Sequence, residues 1–322
     1  MDLPAETQIR WLLSKTATLL ELGTEPVRGL IQPTGEFFPD RFDGSPRSVA
    51  ALMTRVQEHA GLGDLKVDLT LVTPEGDAQK VDCSSGSCCT PGKCDPKLNS
   101  INRHPDGSWE VTMGANEVRS PVVMTTSMVR AVAAMFLTEA DALAAVRPEE
   151  RDPLTDLAAV LLGFGVLVAN GSYIYAKGCG GVHVSSATRM PVDEITVALG
   201  LFCRLFDVPE RTAAKHLEVT PAEHFDEGYA WASSNASVVK MLRKNPDGVR
   251  AGEYALSPSR SWLSRFLGVG AKKHARSVDD ELAELEHAVK ANGAAAKKKA
   301  VDPAKAKQLA ELKALVDESL DN

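Results

Sequence analysis

Four of the six cysteines in this chain crowd into one segment, VDCSSGSCCTPGKCD. Cys83, Cys88, Cys89 and Cys94 are spaced C-x4-C-C-x4-C. Thiolates are soft ligands, and four of them this close can enclose a tetrahedral zinc ion or support an iron–sulfur centre. Gly86, Pro91 and Gly92 would let the loop wrap around an ion. The spacing differs from the C-x2-C knuckle of common zinc sites, and adjacent cysteines tend to point apart, so Cys88 and Cys89 reach one ion only across a sharp bend. His104 is a possible substitute ligand. A disulfide pair and free thiols are the competing readings, and clustering in a reducing compartment favours metal. Such a metal would fasten the loop rather than perform catalysis.

The remaining reactive residues are scattered. None of the seven histidines pairs with another at i, i+4 around a glutamate. Cys179 and His183 share a glycine-rich stretch, KGCGGVHVSSATRMP, while His216 and His224 fall on separate expected helices. Cys203 sits on an apolar helix face with Leu199, Phe202 and Phe206, as a buried thiol does. No P-loop, dinucleotide fingerprint or G-x-S-x-G elbow is present. A hydrolytic centre would have to be assembled from distant groups, with His183, His216, His224, Glu139 and Asp152 meeting in space. A thiol redox role for the cysteine segment is the other enzymatic alternative.

The elements that must position these groups centre on two helices between Pro121 and Gly171. The first carries Met124, Met128, Val132, Met135, Phe136 and Leu143 near one apolar face, with Thr125, Thr126 and Ser127 available to cap its start. The second is to open at Asp152 and Pro153 after a charged turn, RPEERD, and from Leu157 to Ala169 it has no charged side chain. A helix apolar all round is buried, and this run is shorter than the roughly 20 residues a bilayer demands. Around this pair, residues 5–22 read as an amphipathic helix ending at Gly23 and 46–61 as a helix started by Ser45 and Pro46. Residues 65–73 and 108–113 alternate as strands, flanking a cysteine-rich insertion at 82–104. Further helices are expected in PVDEITVALGLFCRLFDV, at 209–217 and at 221–243, the last capped by Thr220. In the loop between Gly23 and Ser45, Phe37, Phe38 and Phe42 offer aromatic bulk to pin the loop to the core, with a substrate-lining role as the alternative.

From about Asn245 the character changes. Residues 277–292 and 303–320 carry narrow stripes, Leu282, Leu285 and Val289 in one and Leu309, Leu312, Leu315 and Val316 in the other. Such stripes suit a helical hairpin or coiled-coil pairing, either with itself or with a protein partner. Lys297, Lys298 and Lys299 form a hinge between them. The expected organisation is an α+β, predominantly helical body at 1–246, a small β-sheet packed on a bundle with a buried central helix, and a charged helical appendage at 247–322.

Two phrases, FFPDRFDG at 37–44 and DPLTD at 152–156, stand in a particular order with a strand, an insertion, a second strand and a long helix. In that order the chain resembles a bacterial family of uncharacterised zinc-metallopeptidase-like proteins over roughly residues 1–245. In that family the long helix carries H-E-x-x-H and the next opens with a motif of the type E-P-L-T-D. The resemblance implies a metallopeptidase-like scaffold, but Met128–Phe136, MVRAVAAMF, holds no histidine and no glutamate. The histidines hold the ion and the glutamate takes a proton from its water, so the implied scaffold lacks its chemistry. Asp152 stands where the downstream acidic ligand would be, and Glu139 lies on the methionine side of the long helix.

Composition sets the outer bounds: 322 residues, 44% hydrophobic and 25% charged, fit a soluble chain of one or two domains. With aromatics at 5%, the core must be built from Ala, Val, Leu and Met. A net charge of −7 speaks against general nucleic-acid binding. The first residues, MDLPAETQIRWLL, lack a basic-then-apolar signal, which makes the cytoplasm the expected location. Together these readings predict a non-catalytic cytoplasmic protein that binds a structural metal through Cys83, Cys88, Cys89 and Cys94 and engages a protein partner, or itself, through its C-terminal helices.

Overall fold

The computed structural model describes residues 3–72, 100–178 and 181–257. The chain divides into two units, Met1–Leu267 and Gly268–Asn322, and every described residue belongs to the first. The cysteine segment 83–94, Cys179 and the C-terminal helices expected at 277–292 and 303–320 lie outside the described residues.

The order of elements is α1 (Glu6–Glu21), α2 (Pro46–His59), β1 (Val67–Val72), β2 (Ser100–Arg103), β3 (Trp109–Gly114), α3 (Pro121–Glu139), α4 (Pro148–Ala159), a wide turn at Val160–Phe164, α5 (Gly165–Ser172), β4 (Ile174–Gly178), β5 (Gly181–Ser185), α6 (Val192–Leu205), α7 (Glu210–Ala214), α8 (Val219–Ser234), α9 (Ala236–Lys244) and α10 (Pro246–Arg250). The fold is α+β and predominantly helical, with a small sheet packed on a bundle around a buried central helix. β3 is the middle strand of the larger sheet, parallel to β1 and antiparallel to β2. Its Trp109, Val111 and Met113 are buried, as alternation requires of a half-covered strand. β2 comes from the end of the stretch read as cysteine-rich insertion. His104 lies in the exposed turn between β2 and β3, where its amide donates to the Ser108 carbonyl.

The centre of the molecule is the helical stretch Pro148–Ser172, whose apolar part is completely enclosed. It starts one turn earlier than the sequence reading placed it. Pro148 occupies the first helical position and Glu149 and Glu150 the first turn, where a fixed φ and negative charge are both favourable. Pro153 therefore lies inside α4 and forfeits one backbone bond rather than opening the helix. At 25 residues the stretch is long enough to cross a bilayer, so the length argument from the apolar run does not hold; full enclosure accounts for its apolar surface.

The helix does not run straight. At Gly163 φ is +100°, and the local widening frees the Gly163 carbonyl to accept from the Ile31 amide at 2.8 Å. A Cβ at this position would stand 2.3 Å from the Gly29 carbonyl oxygen, so the loop after α1 crosses the helix at a point only glycine leaves open. A second close approach joins α6 and α8, where a Cβ on Gly200 or Gly228 would meet backbone atoms of the other helix at 2.7 Å.

Local chemistry explains several departures from the expected elements. Thr125 and Thr126 do not cap α3. The helix begins at Pro121, and their hydroxyls donate to the carbonyls of Pro121 and Val122, each at 2.7 Å. Back-bonding of this kind is what a threonine does inside a helix. The helix expected over 221–243 is two, α8 and α9, and α8 begins at Val219, ahead of the expected cap Thr220. They break at buried Asn235, whose amide nitrogen donates to the Trp231 and Ser257 carbonyls and whose oxygen accepts from the Ser257 amide. The glycine-rich stretch supplies the end of β4 and all of β5, which pair as an antiparallel hairpin. The body also continues past residue 246. α10 packs on α1 with Arg250 paired to Glu21, and Arg10 lies over the Tyr254 ring.

The loop FFPDRFDG is held from two sides. Phe37 and Phe38 meet the His59 ring edge-on, with centroids at 5.9 and 5.5 Å, while Asp40 accepts from Arg55. Phe42 is exposed, so only two of the three phenylalanines pin the loop. His59 is buried; its Nε2 lies 2.8 Å from the Phe37 carbonyl and so carries the proton, leaving Nδ1 enclosed without a partner. Burial pushes the imidazolium pKa down, and Arg28 and Arg55 add to it.

Two predictions follow from this packing. Gly163→Ala is expected to cost about 1–3 kcal/mol or more, because a strained φ adds to the clash with Gly29, read as a lower urea midpoint at unchanged helicity. The neutral His59 contributes stability that is complete above its unfolded value of 6.5 and is lost as pH falls from there through the lowered native value. Urea midpoints measured from pH 8 to pH 5 should fall in the wild type and less steeply in His59→Leu; equal slopes would place the proton uptake elsewhere.

Candidate functional site

The polar centre of the fold is built where α3 crosses α4. Asp156, fully buried, projects from α4, and its Oδ1 accepts from Arg130 Nε of α3 at 2.5 Å. Its Oδ2 accepts from the backbone amides of Arg189 and Met190 at 2.6 and 2.9 Å. One carboxylate thus ties α3 and α4 to the turn that follows the β4–β5 hairpin. The turn is set by its own side chains. The Ser186 hydroxyl accepts from the Thr188 amide, and the Thr188 hydroxyl donates to the Met190 carbonyl. Burial drives the Asp156 carboxyl pKa upward, against Arg130 and the two amides, which pull it down. Asp152 lies one turn away on α4 at the surface, 3.7 Å from Arg130 and 3.6 Å from Arg189.

DPLTD therefore has a visible task in this chain. Its two aspartates face Arg130 and Arg189, and its leucine and threonine are buried. The stretch of α3 opposite, Met128–Phe136, places Met128, Val129, Ala131, Val132, Ala133 and Met135 in the core. Arg130 is its one charged residue. A divalent ion beside Asp152 and Asp156 would have to share the space with that guanidinium and would find no imidazole on α3. The residues present do not fit a catalytic zinc.

Of the other groups that a hydrolytic centre would need, Glu139, Asp152, His216 and His224 do not gather into a metal-holding cluster among the described residues, and the His183 side chain lies outside them. Glu139 closes α3 against the sheet. It accepts from Arg103 at 2.9 and 3.3 Å and from the Trp109 indole at 3.1 Å, and the Arg103 guanidinium lowers its pKa. His216 lies between α7 and α8, its backbone carbonyl accepting from Asn170. His224 is half-buried on α8, its pKa lowered by burial. His183 is in β5, in register with Ala176. Among the described residues no three His, Cys, Asp or Glu side chains are grouped to hold a metal. Cys203 is a free, buried thiol whose pKa burial pushes up to about 12, far from the thiolate range that reactivity needs.

For the cysteine segment the structure gives the roots. β1 ends at Val72, in register with Gly114, and β2 begins at Ser100, in register with Thr112. Both ends of the intervening chain thus leave from one end of the sheet, on either side of β3. Sequence reasoning missed Arg130 because one arginine in an apolar helix carries no motif. The signal was its isolation, since an apolar helix buries a charge only when a partner waits for it.

Arg130→Met leaves a buried carboxylate held only by backbone amides and is expected to lower stability by about 3 kcal/mol. Asp156→Asn, which keeps an acceptor for the amides, should cost less. A double-mutant cycle in urea checks both, and additive losses would show that the two side chains are not coupled.

Comparison of the chain with protein-family models, with curated proteins and with solved structures gives no match.

Proposed function

We propose that this chain is a non-catalytic binding protein on a metallopeptidase-like scaffold, in which an arginine has taken the place of the metal. The observation that carries this reading is the Arg130–Asp156 pair, with Asp152 beside it. In the family the chain resembles, the acidic motif faces an ion held by histidines of the long helix. Here the positive charge facing Asp152 and Asp156 comes from the long helix itself. A guanidinium satisfies the carboxylates but has no exchangeable position for water, so the centre supports packing and not hydrolysis.

The rest of the reading comes from the sequence. Cys83, Cys88, Cys89 and Cys94 bind one structural zinc or iron centre, and the C-terminal helical stripes engage a protein partner or a second copy, in the cytoplasm. The sheet supports the metal half in one respect. Its two strand ends, Val72 and Ser100, flank β3 and offer two fixed points between which a metal-closed loop can hang.

Elemental analysis of the full chain, purified reduced and metal-replete, is the direct test. About one metal equivalent is expected, lost when the four cysteines are changed to serine and kept in Arg130→Met. Absence of stoichiometric metal, or its retention in the four-serine variant, overturns the metal site. Hydrolysis of a peptide substrate that is inhibited by chelator and abolished by Asp152→Ala overturns the non-catalytic reading.

A further inference from the structure

A cleft of about 540 Å³ opens where α1, α6 and α9 all finish. Its apolar floor is Leu20, Leu205, Phe206 and Leu242, each in the last turn of its helix or just past it. Glu21, Glu25 and Asp207 line the same cleft with Arg243, so among the described residues its acids outnumber its bases three to one. Arg243 is already engaged, paired with Asp207 and donating to the Arg204 carbonyl. Glu21 pairs with Arg250 of α10. The three helix C-termini add partial negative charge of their own. α10 begins beside the cleft, and the Asn245 side chain caps its start by accepting from the Gly248 amide. A ligand suited to this place is apolar, with positive charge at its flanks.

The last described residue, Ser257, is fixed close by. The Asn235 side chain accepts from its amide at 2.8 Å and donates to its carbonyl at 3.2 Å. Asn235 immediately precedes α9, and Leu242 lies seven residues further on, about 10 Å along that helix. Trp262 is five residues beyond Ser257, an extended reach of about 17 Å. Residues 258–267, PSRSWLSRFL, lie outside the described residues, and the compact unit that holds the body runs to Leu267. Their composition complements the cleft. They carry Arg260 and Arg265 and no acid, and Trp262 and Phe266 are the only Phe, Tyr or Trp residues after Tyr254. Trp262, Leu263, Phe266 and Leu267 have the spacing of one helical face, and Arg260 and Arg265 fall at the two edges of that face.

We infer that this cleft is the docking site of the chain's own segment 261–267, which folds back onto the ends of α1, α6 and α9. Trp262 and Phe266 meet the leucine floor, and the arginines on either side meet the carboxylates of the rim. The tether decides the occupant. A segment joined to the body only a few residues away is present at an effective concentration on the order of millimolar, which a free partner of similar affinity does not match. The contact uses neither the Arg130–Asp156 centre nor the cysteine segment.

Hydrogen exchange on the full chain tests this. Amides of 261–267 should exchange about tenfold or more slower than free-peptide rates, and equally at low and high protein concentration. Glu25→Arg, at an exposed position, should speed exchange of that segment about threefold at an unchanged circular dichroism spectrum. Trp262→Ser combined with Phe266→Ser should bring it to the free-peptide rate. Benzoylphenylalanine in place of Phe266 locates the contact. Photo-crosslinks should join it, within one chain, to peptides holding Leu205 and Phe206 or Leu242. Free-peptide exchange of 261–267 in the wild type overturns the inference. So do crosslinks to a second chain or to another part of the body, and so does protection that Glu25→Arg leaves unchanged.

Discussion

A buried carboxylate has few ways to exist in a protein, and Asp156 uses nearly all of them. It is out of solvent, yet it has a guanidinium on one oxygen and two backbone amides on the other. The guanidinium comes from α3 and the two amides from the turn at 189–190. Satisfying this one group therefore fixes the crossing of α3 on α4 and the position of the turn at 189–190. An unpaired buried charge is costly, so an arrangement lacking one of these donors is destabilised by about 3 kcal/mol. The hairpin that hangs from that turn inherits its position from the same constraint.

The remaining order comes from close approach. With few aromatics, the core relies on aliphatic side chains and on glycines that let backbones touch. The contact of α6 with α8 at Gly200 and Gly228, and the passage of the loop after α1 over Gly163, are both distances that a single methyl group would exclude. The wide turn at Gly163 also exposes a carbonyl for Ile31, so the break in the central helix and the path of the FFPDRFDG loop are one feature. His59 and Arg55 pin that loop to the body through Phe37, Phe38 and Asp40.

The function proposed for this body lies away from its centre. The stretch of α3 facing Asp152 and Asp156 holds methionine, valine, alanine and one paired arginine, which is a solution for packing. The proposed metal site rests on the four cysteines between Val72 and Ser100, which lie outside the described residues and belong to no part of the Arg130–Asp156 centre.

Sequence alone determined the elements whose cause is local. The amphipathic helices at Glu6–Glu21 and Pro46–His59, the strands at Val67–Val72 and Trp109–Gly114, and the burial of the helix after DPLTD follow from periodicity and composition, which any window of the chain displays. It also identified DPLTD as a landmark without its role. Only the tertiary structure decided that Asp156 answers Arg130, that Glu139 answers Arg103 and Trp109, and that Asn235 splits a helix to hold Ser257. It also turned a glycine-rich stretch into the greater part of a hairpin. These partners lie from 22 to 36 residues apart in the chain. A side chain's partner at that separation is set by how elements cross, and periodicity records only which face of an element is dry.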